Sequence, residues 1–113
     1  MIYLGDSFPD RYRNTLFMNN IHGNRVNNEI LEPHRSGYVA RHADDFLLAN
    51  DQWFRGINLR YGPRGEVYLI DWYDKQACHY VSDEVWNRTN GRLYRVSYGD
   101  VACLLYTSDA ADE

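Results

Sequence analysis

The chain has 113 residues, enough for one small domain with a core, and its 44% hydrophobic and 15% aromatic content leans toward β-structure. A formal charge of −4 without a basic face argues against a nucleic-acid partner, and no run of about 18 apolar residues is present to form a transmembrane segment. The start, MIYLGDSFPDR, has neither the basic head nor the long apolar stretch of a signal peptide.

In chain order, Ile2–Leu4 is a short apolar strand signal, followed by a turn-rich loop to Asn14. Thr15–Ile21 and Arg25–Leu31 read as the arms of a hairpin turning at Gly23. A further strand is expected around Tyr38–Arg41, and Phe46–Leu48 is an apolar patch of ambiguous type. Asn58–Tyr61 enters the turn Gly62-Pro63-Arg64-Gly65, and Val67–Asp71 leaves it as the hairpin partner. Residues 75–90 form a polar insertion in which Ser82 is placed to cap one helical turn, and the segment GRLYRVSY closes with a last strand. No stretch sustains a 3.6-residue period, so the expected class is all-β with antiparallel sheets.

Two segments, TLFMNNIHGNRV and VYLIDWYD…NGRLYRV, share the order apolar strand, polar loop, Gly-Arg-like turn, strand. Leu16 and Val67 lie 51 positions apart, and Val26 and Leu93 lie 67 apart, the difference being the insertion after Trp72. Four-stranded units repeating every ~40–50 residues suit β-propeller blades, although an ordinary antiparallel meander has the same signature.

Residues 103–113, CLLYTSDAADE, share no pattern with what precedes them. They can be back-translated without a break into the adapter of transposase-based sequencing libraries, the alternative being a genuine disordered acidic tail; on the adapter reading the expected domain is 1–102, with the tail left out of fold reasoning. Removing the tail acids Asp109, Asp112 and Glu113 from a chain of charge −4 leaves −1. Cys78 then stands without a second cysteine for an internal disulfide. On this reading the chain is cut from a longer protein, and Met1 is equally well an internal methionine.

Four places carry candidate chemistry. His22 sits in FMNNIHGNRVNN, where five asparagines crowd a strand end; that suits either a wet channel lining or a run of hydrogen-bonded turns. Asp71 and Asp74 are hard oxygen donors suited to Ca2+. Trp72 and Tyr73, with Trp53 and Phe54, can stack a sugar ring or pack between layers. Cys78-His79 lacks the Cys-x-x-Cys-His needed for c-type haem, since Lys75 stands where the first cysteine would be.

The segments GDSFPDRYRNTLFMNNIHGNRV, DQWFRGINLRYGPRGEVYLIDWYD and GRLYRVSY together resemble the propeller region of large exported proteins of planctomycetes and their relatives, a family described as membrane-bound dehydrogenases. The resemblance spans nearly all of residues 1–98. It implies a fragment of about two blades, from the C-terminal part of a six-bladed β-propeller similar to glucose and sorbosone dehydrogenases. In the family, HEAT repeats and a c-type haem domain follow the propeller. It further implies a periplasmic or cell-surface parent that oxidises a sugar or alcohol with pyrroloquinoline quinone and Ca2+. His22 lines up with a lysine that touches the quinone in the sugar dehydrogenases, and is expected to act in proton transfer or cofactor contact. Arg55 lines up with the first of two arginines that hold the quinone carboxylates, while Ile57 stands at the second. Asp71-Trp72-Tyr73-Asp74 would surface at a loop-bearing rim, with the acids and ring edges facing solvent or ligand. Alone, the fragment is expected to be inactive, with open sheet edges where missing blades would pack. The competing reading is a non-catalytic propeller that binds carbohydrate or a protein partner through the same loops.

Overall fold

A computed structural model describes residues 1–77 and 89–99. The helical turn expected at Ser82, the Cys78-His79 pair and the 103–113 tail lie outside the described residues. The fold is all-β, built from two antiparallel sheets. The first contains β1 (Leu16–Asn20), β2 (Arg25–His34) and β3 (Gly37–His42) in that order, with the short β4 (Leu47–Leu48) also pairing with β2. The second is the meander β5 (Gly56–Tyr61), β6 (Val67–Asp71) and β7 (Arg92–Val96). The helical content of the described residues is one 3-10 turn, Asp10–Tyr12, inside the expected N-terminal loop.

The turns follow from local chemistry. Pro63 presets the first corner of the β5–β6 turn, and Gly65 occupies the left-handed region at φ 80° that closes it. Gly65 donates to the Gly62 carbonyl at 3.1 Å, and Gly62 donates to the Glu66 carbonyl at 2.8 Å. In the β1–β2 turn, the Asn20 side chain accepts the Gly23 N–H at 2.7 Å, and Asn24 takes the left-handed position at φ 52°.

Three boundaries differ from the sequence expectation. β2 runs past Leu31 to His34 through Pro33, which is tolerated because β1 ends opposite Glu29 and leaves one side of β2 open there. β5 begins at Gly56, two residues early, and holds a bulge at Asn58, φ 55°, that interrupts its alternation. The Ile2–Leu4 strand is reduced to one bridge, Ile2 to Leu16, although the Phe17 and Tyr3 N–H groups still bond across it.

The core joins the two sheets. Tyr3, Phe8, Phe17, Val26, Phe54, Leu59, Val67 and Leu69 are buried, each contributing roughly 1.5–3 kcal/mol relative to exposure. At its centre Phe17 stacks on Phe46 at 4.2 Å and on Tyr3 at 5.4 Å, and Tyr12 meets Phe17 edge-on at 5.9 Å. The N-terminal segment ties this cluster to the second sheet: the Tyr3 hydroxyl donates to the Gly65 carbonyl at 2.7 Å, and the Tyr61 hydroxyl bonds the Ile2 carbonyl.

Glu66 gives this turn a pH dependence. The Arg64 N–H donates to its carboxylate at 2.9 Å, and with its own backbone N–H this holds the Glu66 carboxyl below the usual range. A depressed carboxyl stabilises the folded state above the ordinary glutamate range, and the stabilisation is lost as pH falls through the folded value. Glu66→Gln is therefore expected to lower the thermal midpoint at about pH 6, with the deficit shrinking as the pH falls below the ordinary glutamate range. Melting curves across that range check this; a deficit independent of pH would show that the carboxylate charge is not involved.

Candidate functional site

Three loops meet at one end of the two sheets: the β1–β2 turn at Ile21–Asn24, the approach to β5 at Asp51–Arg55, and the exit of β6 at Asp71–Gln76. Arg55, only 8% exposed, holds them together. Its Nη1 donates to the Ile21 carbonyl at 3.1 Å and to the Phe54 carbonyl at 2.9 Å, and its Nη2 donates to the Lys75 carbonyl at 2.8 Å. The Asn24 side chain donates to the Gln52 and Phe54 carbonyls at 3.1 and 2.9 Å, fixing the turn to the β5 approach. Backbone bonds complete the junction: Trp72 donates to the Arg55 carbonyl at 3.0 Å and Asp74 to the Trp53 carbonyl at 2.9 Å.

Asp71 is fully buried instead of facing solvent or ligand as expected. It alternates in phase with Val67 and Leu69, so the pleat that buries those two also carries its carboxylate inward. There Oδ1 accepts the N–H groups of Arg55 and Tyr73, both at 2.8 Å. Asp74 is half-buried, and its Oδ1 accepts the Gln76 N–H at 3.2 Å. Trp72 projects outward at 61% exposure. Tyr73 adopts a left-handed backbone at φ 54°, uncommon for an aromatic residue. Its ring lies 5.7 Å from Trp53 and beneath the Arg92 guanidinium at 3.7 Å. Arg92 in turn reaches Asp51 at 3.7 Å. A hollow of about 250 Å³ opens beside Asp51, lined also by Leu47, Leu48, Ala49, Phe54 and Tyr94.

His22 is exposed on the β1–β2 turn, one residue from the carbonyl that Arg55 holds. The asparagines around it belong to hydrogen-bonded turns and strand contacts: Asn20 and Asn24 shape the turn, and buried Asn28 donates to the Thr15 hydroxyl at 2.6 Å. The structure thus brings His22, Arg55, Asp71, Trp72, Tyr73 and Asp74 to one rim. Only the exposed His22 and Trp72 are freely presented there. Sequence reasoning missed Arg92, Asp51 and Asn24. Arg92 comes to the rim through the pairing of β7 with β6, opposite Asp71, and nothing local announces it.

A quinone clamp asks for a free guanidinium fork, and Arg55 has its Nη groups on three backbone carbonyls, so the residues do not fit a quinone's carboxylates. Among the described residues no group of three or more His, Cys, Asp or Glu side chains is placed to hold a metal ion. Among them, too, no helix is long and apolar enough to cross a membrane.

A sequence model described as a domain of unknown function, DUF7133, matches residues 1–100, and the chain belongs to that family. No curated protein and no solved structure matches it.

Proposed function

We propose that this member of the DUF7133 family is a propeller-like β-scaffold that binds a carbohydrate or similar polyol at the rim where its three loops meet. The observation that carries the reading is Trp72: a large aromatic at 61% exposure, next in the chain to a strained, cation-capped tyrosine on a tightly bonded loop. An aromatic face for the apolar side of a sugar ring and nearby polar groups for its hydroxyls are what such a ligand requires. Strain held by surrounding contacts at Tyr73 marks the loop as one whose shape matters. The hollow beside Asp51 supplies a second polar-edged surface close to the Arg92–Asp51 pair.

Screening the chain against neutral oligosaccharides by tryptophan fluorescence tests the proposal. Trp72→Ala is expected to weaken binding by roughly tenfold, a loss of ~1.4 kcal/mol. Its thermal midpoint should stay nearly unchanged, since the side chain is exposed. Equal affinity in the variant, or no binding by the parent chain, would overturn the reading.

The dehydrogenase reading is kept as a second proposal on His22, which stands exposed at the same rim, while Arg55 is occupied by backbone carbonyls and is not free to hold a quinone. In an exported sugar or alcohol dehydrogenase, His22 would accept the substrate's proton. Dye reduction with aldoses in the presence of pyrroloquinoline quinone and Ca2+, abolished by His22→Ala, would favour it over simple binding.

A further inference from the structure

An antiparallel sheet with one face on the core is expected to alternate, apolar inward and polar outward. The meander β5–β7 departs from that. Its inward positions Leu59, Val67 and Leu69 are buried in the core. Its outward positions are apolar as well: Ile57 pairs with Ile70, and Ile70 with Leu93, so three side chains form one row straight across the sheet. They are 40%, 43% and 68% exposed.

The row has different neighbours on its two sides. Toward the Gly62 turn the next row is Arg60, Tyr68 and Arg95, again directly cross-strand, and the bulge at Asn58 is what lets Ile57 and Arg60 face the same way. Both arginines are exposed, and among the described residues neither has a carboxylate within ion-pair distance. Glu66 continues the same alternation, but it is buried and its carboxylate accepts the Arg64 N–H, so it is not presented on this face. On the other side, the Trp72 N–H donates to the Arg55 carbonyl, which carries the β5–β6 pairing one residue further and puts exposed Trp72 in phase with Ile70.

An apolar row flanked by arginines and aromatic rings has the makeup of a protein interface. The order of the rows selects the partner. With two copies face to face and their strands antiparallel, a two-fold axis along the apolar row lays Ile57, Ile70 and Leu93 on their own counterparts. The same axis lays Trp72 of each copy over Tyr68 of the other, between Arg60 and Arg95. That sets guanidinium groups around an indole and brings no arginine against its own counterpart. An axis along β6 would instead set Arg60 against Arg95, and like charges exclude it.

We propose that the outer face of the β5–β7 meander docks a second copy of this chain, the two related by a two-fold axis along the Ile57–Ile70–Leu93 row. A face of three short strands is at the small end of specific interfaces, so the dimer is expected to be weak and to dissociate on dilution. The pairing covers Trp72, and a carbohydrate held there would therefore compete with it. The inference does not rest on the carbohydrate reading: it is tested without carbohydrate and through Leu93, which that reading does not use.

Sedimentation equilibrium of the chain from about 10 µM to about 500 µM, under reducing conditions so that Cys78 and Cys103 cannot cross-link copies, measures the association. A reversible monomer–dimer equilibrium is expected. Leu93→Lys and Leu93→Glu each set a charge against its own copy and should weaken the dimer by at least about tenfold. Mixed together, the two variants should associate again, because the axis puts the lysine of one copy on the glutamate of the other. Circular dichroism checks that both are folded. A chain that stays monomeric throughout would overturn the proposal, as would a dimer that folded Leu93→Lys leaves intact, or a mixture that fails to associate. Should either charged variant not fold, Ile70→Thr, β-branched at the centre of the row, decides in its place: a folded Ile70→Thr that dimerises as well as the parent would overturn the proposal.

Discussion

Replacing Phe17 with alanine is expected to destabilise the chain by about 3–5 kcal/mol, because the cavity would open at the centre of the core. Phe17 is fully buried, and its ring is the one on which Tyr3 and Phe46 both stack while Tyr12 meets its edge. The flanking rings are held by their own anchors: Tyr3 is bonded to Gly65, and Tyr12 sits in the 3-10 turn. They are poorly placed to collapse into the vacated space, so little of the lost contact is recovered. Against a total stability of about 5–15 kcal/mol, the loss would take much of the folded margin. The thermal midpoint should fall by more than about 10 °C. Urea unfolding followed by near-ultraviolet circular dichroism measures the change. Tyr38→Ala, at a position 70% exposed on β3, serves as the comparison and should move stability by no more than about 0.5 kcal/mol. Similar effects from the two variants would show that the ring stack is not the centre of the fold.

Arg55→Ala is the second large effect, expected at about 3–5 kcal/mol, because it strips the donors from three backbone carbonyls, and each buried group left unsatisfied costs about 1–3 kcal/mol. The carbonyls of Ile21, Phe54 and Lys75 would lose the donors that Arg55 supplies, and Asp71 would remain buried beside an alanine. Truncation therefore loosens all three rim loops at once. The prediction also separates two roles for this residue. An arginine that holds a ligand is dispensable for folding, so its removal would leave the midpoint in place and abolish only binding. An arginine that ties loops together does the reverse in the ligand-free chain. Thermal melts of the variant without ligand distinguish the two: a midpoint within about 2 °C of the parent would refute the tying role.

Much of the strand framework was legible because its causes are local. Val67–Asp71 is enriched in β-formers and follows a Pro-x-Gly turn, and the strand appears with those same bounds. The hairpin around Gly23 was legible for the same reason, since the Asn20 side chain needs only the Gly23 N–H three residues away and Asn24 tolerates the left-handed region that the turn requires. Where expectation and structure part, a distant partner decided. Pro33 stays within β2 because β1 is too short to need its missing N–H. Gly56 enters β5 because Asp71 pairs with it from across the hairpin.

The candidate site shows the same division. The resemblance implied a loop-bearing rim for Asp71–Asp74, and in the structure His22 and Arg55 lie at the same end as that segment. Their roles were not legible. Asp71 reads in sequence as an acid at a strand terminus, but the pleat of β6 turns it inward. Arg55 was expected to hold an anionic group, but its donors go to carbonyls 34 and 20 positions away. Arg92 reads as part of a closing strand, and only the β6–β7 pairing lays it over Tyr73.

By itself the sequence determined the all-β class and the two antiparallel hairpins around Gly23 and Pro63–Gly65. Propensity, alternation and turn stereochemistry act between residues that are already neighbours in the chain, and so can be read from it. Tertiary structure alone decided which polar groups face solvent and which are bound inside. A buried donor or acceptor must find a partner, and that partner is set by which strands come to lie side by side.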